Sequence, residues 1–343
     1  MAQITAKELA QRLGISTAAV SFALNGKPGV SEKTRERVLA LAQKLGYTRT
    51  KFTYGDPNKK TICFLIYLGH VIRHAENSTF SSLVLRGAET ASAASGFQTV
   101  VRYLYADKPL EMQMKNILSG VHGFILLATD VTEDHMADVE RLIRSAGDIP
   151  TVAVNNSLLT DKVDCVLNDN VRGAKAAVRH LIERGCTKIG YLASRDRIDV
   201  FRQRERGMME ALEEAGLRLH SRIDAVNSVG AAEEIESSLN AGDELPDAVF
   251  ADDDILGSVT IRTLRRLGVE VPRQIAVVGF DNEPVCEICE PQLSSVQVFA
   301  EEMGAWASQI ICKRLERNSG HYDEPLLQIE VSTPLRIRES SER

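Results

Sequence analysis

The sequence contains no apolar run of the roughly 20 residues that a membrane-spanning helix needs, so we expect no membrane partner. The first residues, MAQITAKELAQRLG, lack the apolar core of a secretory signal, and this absence favours a cytoplasmic protein. The chain has 343 residues, of which 44% are hydrophobic and 26% charged, as is ordinary for a globular protein. That length predicts one small domain and one larger, two-lobed domain.

The chain also lacks the glycine-rich motifs G-x-G-x-x-G and G-x-x-x-x-G-K-[ST], which hold the phosphates of dinucleotides and nucleotides. Its seven histidines are dispersed, and none follows a predicted strand beside a candidate nucleophile. We therefore expect no catalytic residues and no cofactor. A doubly wound enzyme with an added DNA-binding head stays open as an alternative, in which Asp253 and Asp254 would supply acid-base chemistry.

The six cysteines are scattered, and four of them lie inside apolar runs. Cys286 and Cys289 form a single C-x-x-C, without the second pair or the nearby histidines that a zinc site needs. We interpret the cysteines as small buried hydrophobic residues and expect no metal, with redox chemistry at the C-x-x-C as the alternative.

Charge is distributed unevenly along the chain. Residues 1–60 hold eleven Lys and Arg against four Asp and Glu, whereas the rest of the chain has a net charge of −13. A basic head on an acidic body indicates a head that meets a polyanion, although a solvated basic face would give the same numbers.

The spacing of Ala10, Gly14 and Val20 predicts a helix-turn-helix in the head. A small residue allows two helices to approach, a glycine makes the turn between them, and a branched apolar residue fixes the second helix. Ser16 caps that second helix and Ser31 caps a third. The outer face of the second helix is small and free of acids, so it suits the DNA major groove. The alternative is a three-helix bundle without a nucleic-acid role, in a ligand sensor whose head contacts protein.

Strand-like runs and amphipathic helices alternate through the rest of the chain, which predicts parallel sheets covered by helices on both faces. The predicted strands are Ile62–Leu68, Thr99–Tyr105, Gly123–Ala128, Thr151–Val154, Cys165–Leu167, Lys188–Ala193, Ala248–Phe250 and Gln274–Gly279. The predicted helices include Ser81–Ser95, Arg172–Arg184, Glu205–Ala215 and Gly257–Leu267.

Polar residues follow several of these strands, where parallel sheets bind their ligands. They are Asn155 and Asn156, Asp253 and Asp254, Asp281 and Asn282, together with Arg204 at a helix after another strand. Amides, carboxylates and an arginine suit a ligand with many hydroxyl groups, which favours a carbohydrate. Each Asp or Asn taken singly is as well explained as a helix cap.

The head, from ITAKELAQRLGISTAAVSFALNGKPGVS to KLGY, resembles the headpiece of the LacI/GalR family of bacterial repressors. The remainder resembles the same family and, through it, periplasmic sugar-binding proteins. The matching stretches are NSTF (77–80), VHGFILL (121–127), NDN (168–170), HLIERGCTKIGYL (180–192), RERG (204–207), IAVVGFDN (275–282) and LRIRES (335–340). The resemblance implies a homodimeric, allosteric repressor that binds a pseudo-palindromic DNA operator and a small, carbohydrate-like effector.

The resemblance also implies roles for individual residues. Positions that read base edges are occupied by Thr17, Ala18 and Phe22, and positions that usually contact phosphates by Thr5, Ser16, Ser21, Asn25, Ser31, Thr34 and Tyr47. Effector contacts fall at Phe80, Asn155, Arg204, Asp253 and Asp281.

The sequence departs from the family pattern at four places. Phe22 stands where many members carry an arginine, so we expect an operator without the guanine that arginine would read. Asp253 replaces the usual asparagine and Thr79 replaces an aromatic or apolar residue, which favours a donor-rich or cationic ligand. In the segment after the headpiece, Gly55 and Pro57 oppose the usual hinge helix, and Asp56 stands where the family has a leucine.

The resulting expectation is a small all-α helix-turn-helix headpiece followed by an α/β, two-lobed, periplasmic-binding-protein-like domain with parallel sheets. The headpiece is predicted at residues 1–48, an atypical hinge or linker at 49–60, and the effector-binding and dimerisation domain at 61–340. Three chain crossings would divide that domain into one lobe of about 61–161 with 293–325 and another of about 162–292 with 326–340.

Overall fold

The computed structural model describes residues 6–24, 30–44, 59–69, 79–225, 228–241, 244–317 and 324–343. It divides into two compact units, Met1–Pro57 and Asn58–Arg343, which we call the headpiece and the body. Within the described residues, no helix combines the length and the apolar character that crossing a membrane requires.

The headpiece contains helices α1 (Ala6–Leu13), α2 (Thr17–Leu24) and α3 (Glu32–Lys44). One fully buried residue from each helix, Leu9, Val20 and Val38, lies at the centre of its core. Gly14 joins the first two helices with a φ of 64°, a conformation that favours glycine. The predicted helix-turn-helix is therefore present.

The body alternates strands and helices from its first residues. Its strands are β1 (Thr61–Leu68), β2 (Gln98–Tyr105), β3 (Gly123–Leu127), β4 (Thr151–Val154), β5 (Asp164–Asn168), β6 (Ile189–Ser194), β7 (Ser221–Ala225), β8 (Ala248–Ala251), β9 (Ala276–Asp281), β10 (Ser294–Gln297), β11 (Gln328–Val331) and β12 (Leu335–Arg336). Its helices are α4 (Thr79–Ala94), α5 (Leu110–Leu118), α6 (Met136–Ala146), α7 (Asn170–Glu183), α8 (Asp199–Glu214), α9 (Ser228–Ala241), α10 (Asp254–Arg266), α11 (Val285–Ile288) and α12 (Ala300–Arg317). Short 3₁₀ turns lie at Glu133–His135, Ser157–Leu159 and Glu339–Ser341.

Two six-stranded sheets organise the body, with the orders β11-β5-β4-β3-β1-β2 and β12-β10-β9-β8-β6-β7. Neighbouring strands are parallel except for β12, which runs antiparallel to β10 at the edge of the second sheet. We call the part built on the first sheet lobe N and the part built on the second sheet lobe C. The predicted fold class, an all-α headpiece before a two-lobed α/β domain with parallel sheets, is confirmed.

The predicted lobe boundaries are wrong by one strand at each crossing. The predicted boundaries place β5 and β11 in the second lobe. In the structure β5 pairs with β4, and β11 pairs with β5, so both strands belong to lobe N. Strand β10 was expected in the first lobe, but it pairs with β9 in lobe C. At each crossing the chain adds one more strand to a sheet before it passes to the other lobe. The sequence does not reveal β10 and β11, because both strands are short and polar.

Close packing of α4 on α12 fixes one wall of lobe N. A Cβ atom on Gly87 would overlap the backbone of Glu301, and one on Gly304 would overlap the backbone of Val84. The two glycines thus let the helices approach at backbone distance. This contact places the first turn of α4, which carries Phe80, at the carboxyl ends of the strands.

Candidate functional site

Serine side chains cap α2 and α3 in the headpiece. The Ser16 hydroxyl accepts a hydrogen bond from the Ala19 amide at 3.1 Å, and the Ser31 hydroxyl accepts one from the Thr34 amide at 3.2 Å. The Ser31 and Thr34 hydroxyls are also 2.8 Å apart, within hydrogen-bond distance. Capping satisfies amides that the first turn of a helix leaves unpaired, and it leaves the positive end of each helix dipole available to a phosphate.

The outer face of the headpiece carries the predicted DNA contacts that the structure describes. Ser16, Thr17, Phe22 and Ser31 are exposed, and the Phe22 side chain retains 39% of its accessible surface. The side chains of Ala18 and Ser21 in α2, and the whole of Thr5, Asn25 and Tyr47, lie outside the described residues. The predicted hinge lies outside them too, except for residues 59 and 60.

Arg204, on α8, is the centre of a buried polar cluster in the body. Its side chain is only 3% exposed, and its Nη2 atom donates to Asp281 Oδ1 at 2.7 Å. Its Nε atom donates to Asn170 Oδ1 at 3.2 Å, and Nη1 donates to the carbonyl of Asp252. The guanidinium also lies 3.8 Å above the centre of the Phe280 ring. An arginine held on this many sides is a rigid donor for a ligand oxygen.

Two predicted effector residues have left-handed backbone conformations where their strands end. Asn155, just after β4, has a φ of 66°, and Asp281, at the end of β9, has a φ of 105°. Non-glycine residues rarely adopt such angles, and they concentrate at functional sites. The Asn155 side chain accepts from Asn168 Nδ2 at 3.0 Å and donates to Thr129 Oγ1 at 3.1 Å.

The remaining two predicted effector residues lie at helix starts. Asp253 caps α10, because its Oδ1 atom accepts from the Leu256 amide at 2.7 Å, so the capping interpretation explains at least part of its role. Phe80 is half-buried in the first turn of α4 and packs against the main hydrophobic core. Of the five predicted residues, direct contact is shown only between Arg204 and Asp281.

Side chains from the two lobes contact one another across the cleft. Arg202, on α8, forms a two-point ion pair with Glu133, with both N–O distances at 2.9 Å. The Ser157 amide donates to Asp199 Oδ2 at 2.7 Å, again joining lobe N to the start of α8. The lobes therefore meet along one edge of a cleft that lies between the carboxyl ends of their strands.

Asp252 is a buried acid that the sequence interpretation missed. It is 1% exposed, and the Tyr191 hydroxyl and the Ser194 amide both donate to its carboxylate, the latter at 2.7 Å. Burial raises the pKa of Asp252 to about 7 despite these donors. Because its carbonyl accepts from Arg204, Asp252 is a support of the cluster. Its position in the run of three acids at 252–254 was the available signal.

A second buried acid supports the start of the segment after β9. Asp254 accepts from the Ser295 hydroxyl at 2.6 Å and from the Glu283 amide at 2.7 Å. Burial, aided by the charge of Asp281, raises the pKa of Asp254 to about 8. Burial and the charges of Asp281 and Asp253 raise the pKa of the Glu283 side chain to about 7, while the Thr79 hydroxyl bonds to it from the other lobe. The lobe C face of the cleft thus gathers several acidic side chains, and their burial and mutual repulsion favour the uncharged forms of Asp254 and Glu283 near neutral pH.

Neither metal nor cysteine chemistry is indicated in this part of the body. Among the described residues, no three His, Cys, Asp or Glu side chains are placed to hold a metal ion. Cys286 and Cys289 are not bonded to each other, and burial raises the pKa of both thiols. A raised thiol pKa makes the reactive thiolate scarce, so the C-x-x-C is best interpreted as part of the core.

Two family models match separate parts of the sequence. Residues 5–50 match the model for bacterial regulatory proteins of the lacI family. Residues 178–341 match the model for a periplasmic binding protein-like domain. The first range covers the headpiece helices, and the second contains Arg204 and Asp281.

Similar proteins extend over nearly the whole chain. The transcriptional regulator CelR of Thermobifida fusca is 28% identical over 343 residues, covering 98% of each chain. Catabolite control protein A of Priestia megaterium is 26% identical over 331 residues, covering 95% of this chain and 96% of the relative. Among solved structures, a CelR–cellobiose complex has a TM-score of 0.69 and 27% identity, with coverage of 98% of this chain and 100% of the other. A lac repressor dimer bound to operator has the same TM-score at 18% identity and covers 99% of both chains.

Proposed function

Because the chain belongs to the LacI family of bacterial regulatory proteins, we propose that it represses transcription as a homodimer on a pseudo-palindromic operator, under the control of a sugar-like effector. The observation that carries the effector proposal is the buried Arg204–Asp281 pair beside a cleft between two lobes. Its relatives are transcriptional regulators, so we infer that the chain acts by binding and has no catalytic role. Its site of action is then the cytoplasm, where bacterial DNA lies.

The headpiece supports the DNA part of the proposal. Its second helix presents Thr17 and Phe22 to solvent, and the capped starts of α2 and α3 are available to phosphates. We assign base contacts to Thr17, Ala18 and Phe22, and phosphate contacts to Thr5, Ser16, Ser21, Asn25, Ser31, Thr34 and Tyr47. Phenylalanine has no hydrogen-bonding group, so position 22 can contact only an apolar base edge such as the thymine methyl.

The cleft supports the effector part of the proposal. Arg204 presents a fixed fork of donors, Asp281 is a partly exposed acceptor beside it, and Asn155 offers an amide on the opposite lobe. Hydroxyl groups both donate and accept, so such a mixed set suits a sugar. The solved CelR structure contains cellobiose and is 27% identical to this chain. We assign Phe80, Asn155, Arg204, Asp253 and Asp281 to the effector.

An exposed apolar surface on lobe C supports the homodimer. Ile255 on α10 and Ile288 on α11 retain 46% and 76% of their accessible surface. A groove on the same lobe is lined by apolar side chains, including Val259 and Ile288, and by charged ones, including Arg262 and Glu290. Exposed apolar groups that adjoin a groove are typical of protein interfaces. We assign this surface of lobe C to the dimer contact.

A selection of bound duplexes from random DNA tests the DNA part. The full-length protein should enrich a palindrome with two half-sites that lacks a required guanine at the base facing residue 22. A parallel selection with Phe22→Arg should introduce that guanine, because arginine donates to guanine at two points. Enrichment of no duplex, or of the same guanine by both proteins, would contradict the proposal.

A matched pair of arginine variants tests the effector part. Arg204→Lys keeps the positive charge but loses the fork, whereas Arg206→Lys makes the same change on an exposed side chain two positions along α8. Neutral sugars, including cellobiose, are titrated against each protein bound to the selected operator. We expect a sugar that changes operator affinity of the parent and of Arg206→Lys, and a response at least about tenfold weaker in Arg204→Lys. Equal responses in both variants would remove Arg204 from the site.

A further inference from the structure

Among the residues that the structure describes, three buried side-chain oxygen atoms where strands of the body end have no hydrogen-bond donor. They are Asp130 Oδ2, Asn168 Oδ1 and Asn282 Oδ1, and each follows or closes a strand: β3, β5 and β9 respectively. Every one of the three is an acceptor. A buried polar atom without a partner destabilises the fold, and a bound ligand with donor groups would supply these acceptors with partners.

Leaving Asp130 Oδ2 without a donor costs the most free energy of the three, because Asp130 is an acid and can carry a charge. It is only 3% exposed, and its carboxylate accepts a hydrogen bond from the backbone amide of Gly69, which follows β1. The loop that carries it is held rigidly, since Asn156 Nδ2 donates to the carbonyls of Ala128 and Val131 at 2.9 and 2.7 Å. The second carboxylate oxygen is therefore fixed in place without a donor.

Among the described residues, the charged groups around Asp130 do not neutralise its negative charge. Asp196, which follows β6 in the other lobe, is near enough that its negative charge adds to burial in raising the pKa of Asp130, to about 7. The other titratable groups packed nearby are Tyr67 and His135, whose rings are 5.2 Å apart. The Thr132 side chain already lies 3.1 Å from His135 Nδ1. A carboxylate opposed by another carboxylate across a cleft favours a cation between them.

We propose that the cleft binds a cationic effector, an amino sugar whose ammonium group donates to Asp130 Oδ2 while one of its hydroxyls donates to Asn168 Oδ1. This inference rests on the proposed function, because it specifies the chemical class of the effector. Asn168 lies beside the assigned effector residue Asn155, to which its Nδ2 atom donates at 3.0 Å.

Matched amino and neutral sugars test the inference on the full-length protein without DNA. D-glucosamine and D-galactosamine are titrated by calorimetry at pH 7.5 beside D-glucose, D-galactose and N-acetyl-D-glucosamine. At least one amine should bind about tenfold or more tightly than its neutral parent and its acetylated form, since a buried charge-assisted hydrogen bond is lost in the neutral compounds. Neutral sugars that bind as tightly as the amines, or amines that do not bind, would overturn the inference.

Asparagine variants locate the ammonium group. Asp130→Asn should abolish the preference for the amine, whereas Asp148→Asn, an exposed change in the same lobe, should keep it. Asp196→Asn should weaken the preference without removing it, and provides a second variant should Asp130→Asn fold poorly. An unchanged preference in Asp130→Asn, or in Asp196→Asn if the first variant does not fold, would overturn the assignment. An operator that responds only to neutral sugars would overturn this inference and leave the proposed function intact, whereas failure to select an operator would count against the proposed function.

Discussion

Replacing Asp130 with asparagine is expected to stabilise the free protein at alkaline pH, although it removes a buried side chain's charge at a candidate binding site. Asparagine has nearly the same shape as aspartate, and its neutral oxygen can still accept from the Gly69 amide. The variant therefore removes the buried charge with little change in packing. Binding sites commonly carry groups that destabilise the unliganded protein.

The magnitude follows from the pKa of Asp130, which burial and Asp196 raise from 3.8 to about 7. A raised carboxyl pKa means that the folded state disfavours the charged form, so this penalty is small below pH 4 and grows as the pH rises. It is nearly complete above pH 7, where it reaches at most about 4 kcal/mol. Between pH 5 and pH 8 the penalty should grow by as much as about 2.5 kcal/mol.

Urea unfolding followed by circular dichroism at pH 5 and pH 8 measures this difference. The free energy of unfolding of Asp130→Asn, relative to the parent, should increase from pH 5 to pH 8, while that of Asp148→Asn should stay level. Comparing two pH values removes any constant effect of the new amide group. A relative stability of Asp130→Asn that is independent of pH, or that falls from pH 5 to pH 8, would refute the reasoning.

Three further changes test other parts of the structure. Gly304→Ala should destabilise the body by about 3 kcal/mol or more in urea unfolding, because its methyl group meets the backbone of α4. The control Gln309→Ala, on the exposed face of α12, should be near neutral. Equal unfolding midpoints of the two variants would contradict the close contact between α4 and α12. Ser16→Ala should destabilise the headpiece by about 1 kcal/mol through loss of the α2 cap, seen in thermal melting of the full chain, and an unchanged headpiece transition would contradict that role. Ile288→Asp should dissociate the dimer in analytical ultracentrifugation, whereas Met112→Asp, at an equally exposed apolar residue on α5, should not; a dimeric Ile288→Asp would remove α11 from the interface.

The headpiece was predictable because its signals are local. Ser16 and Ser31 cap helices at the predicted positions, and Gly14 makes the turn with a positive φ. A cap or a tight turn depends on residues within four positions of each other, which a single sequence displays directly.

The strands were predictable where they contain a run of apolar residues, and this includes β2 at the edge of a sheet. All eight residues of β1 are buried, and its apolar run identified it. By contrast, the first four residues of β7 and all four residues of β11 are exposed or partly exposed, and neither strand shows an apolar run. Both lie at the edge of a sheet, where solvent replaces one layer of packing. Because β11 and the equally polar β10 were not predicted, the predicted lobe boundaries were also displaced.

The candidate site was predictable as far as strand order places residues together. Arg204 and Asp281 were placed at the cleft by the rule that ligands bind at the carboxyl ends of parallel strands, and they are in contact. The roles of Asp130 and Asp252 were not predictable, because a sequence does not show that an acid is buried. Tyr191, the partner of Asp252, is 61 residues away along the chain, so only the folded sheet brings the two together.

The ion pair between Arg202 and Glu133 contributes less to closure of the lobes than a bound effector can. The Arg202–Glu133 pair is 32% and 61% exposed, and such ion pairs contribute about 1 kcal/mol or less. A ligand that supplies donors to Asp130 and Asn168 removes two buried unpaired acceptors, each of which costs about 1–3 kcal/mol. Because Asp196 approaches Asp130 from the opposite lobe, the same ligand also relieves repulsion that opposes closure. The effector thus stabilises the closed body more than this ion pair does, and its differential affinity for the closed body is what lets a ligand shift a conformational equilibrium.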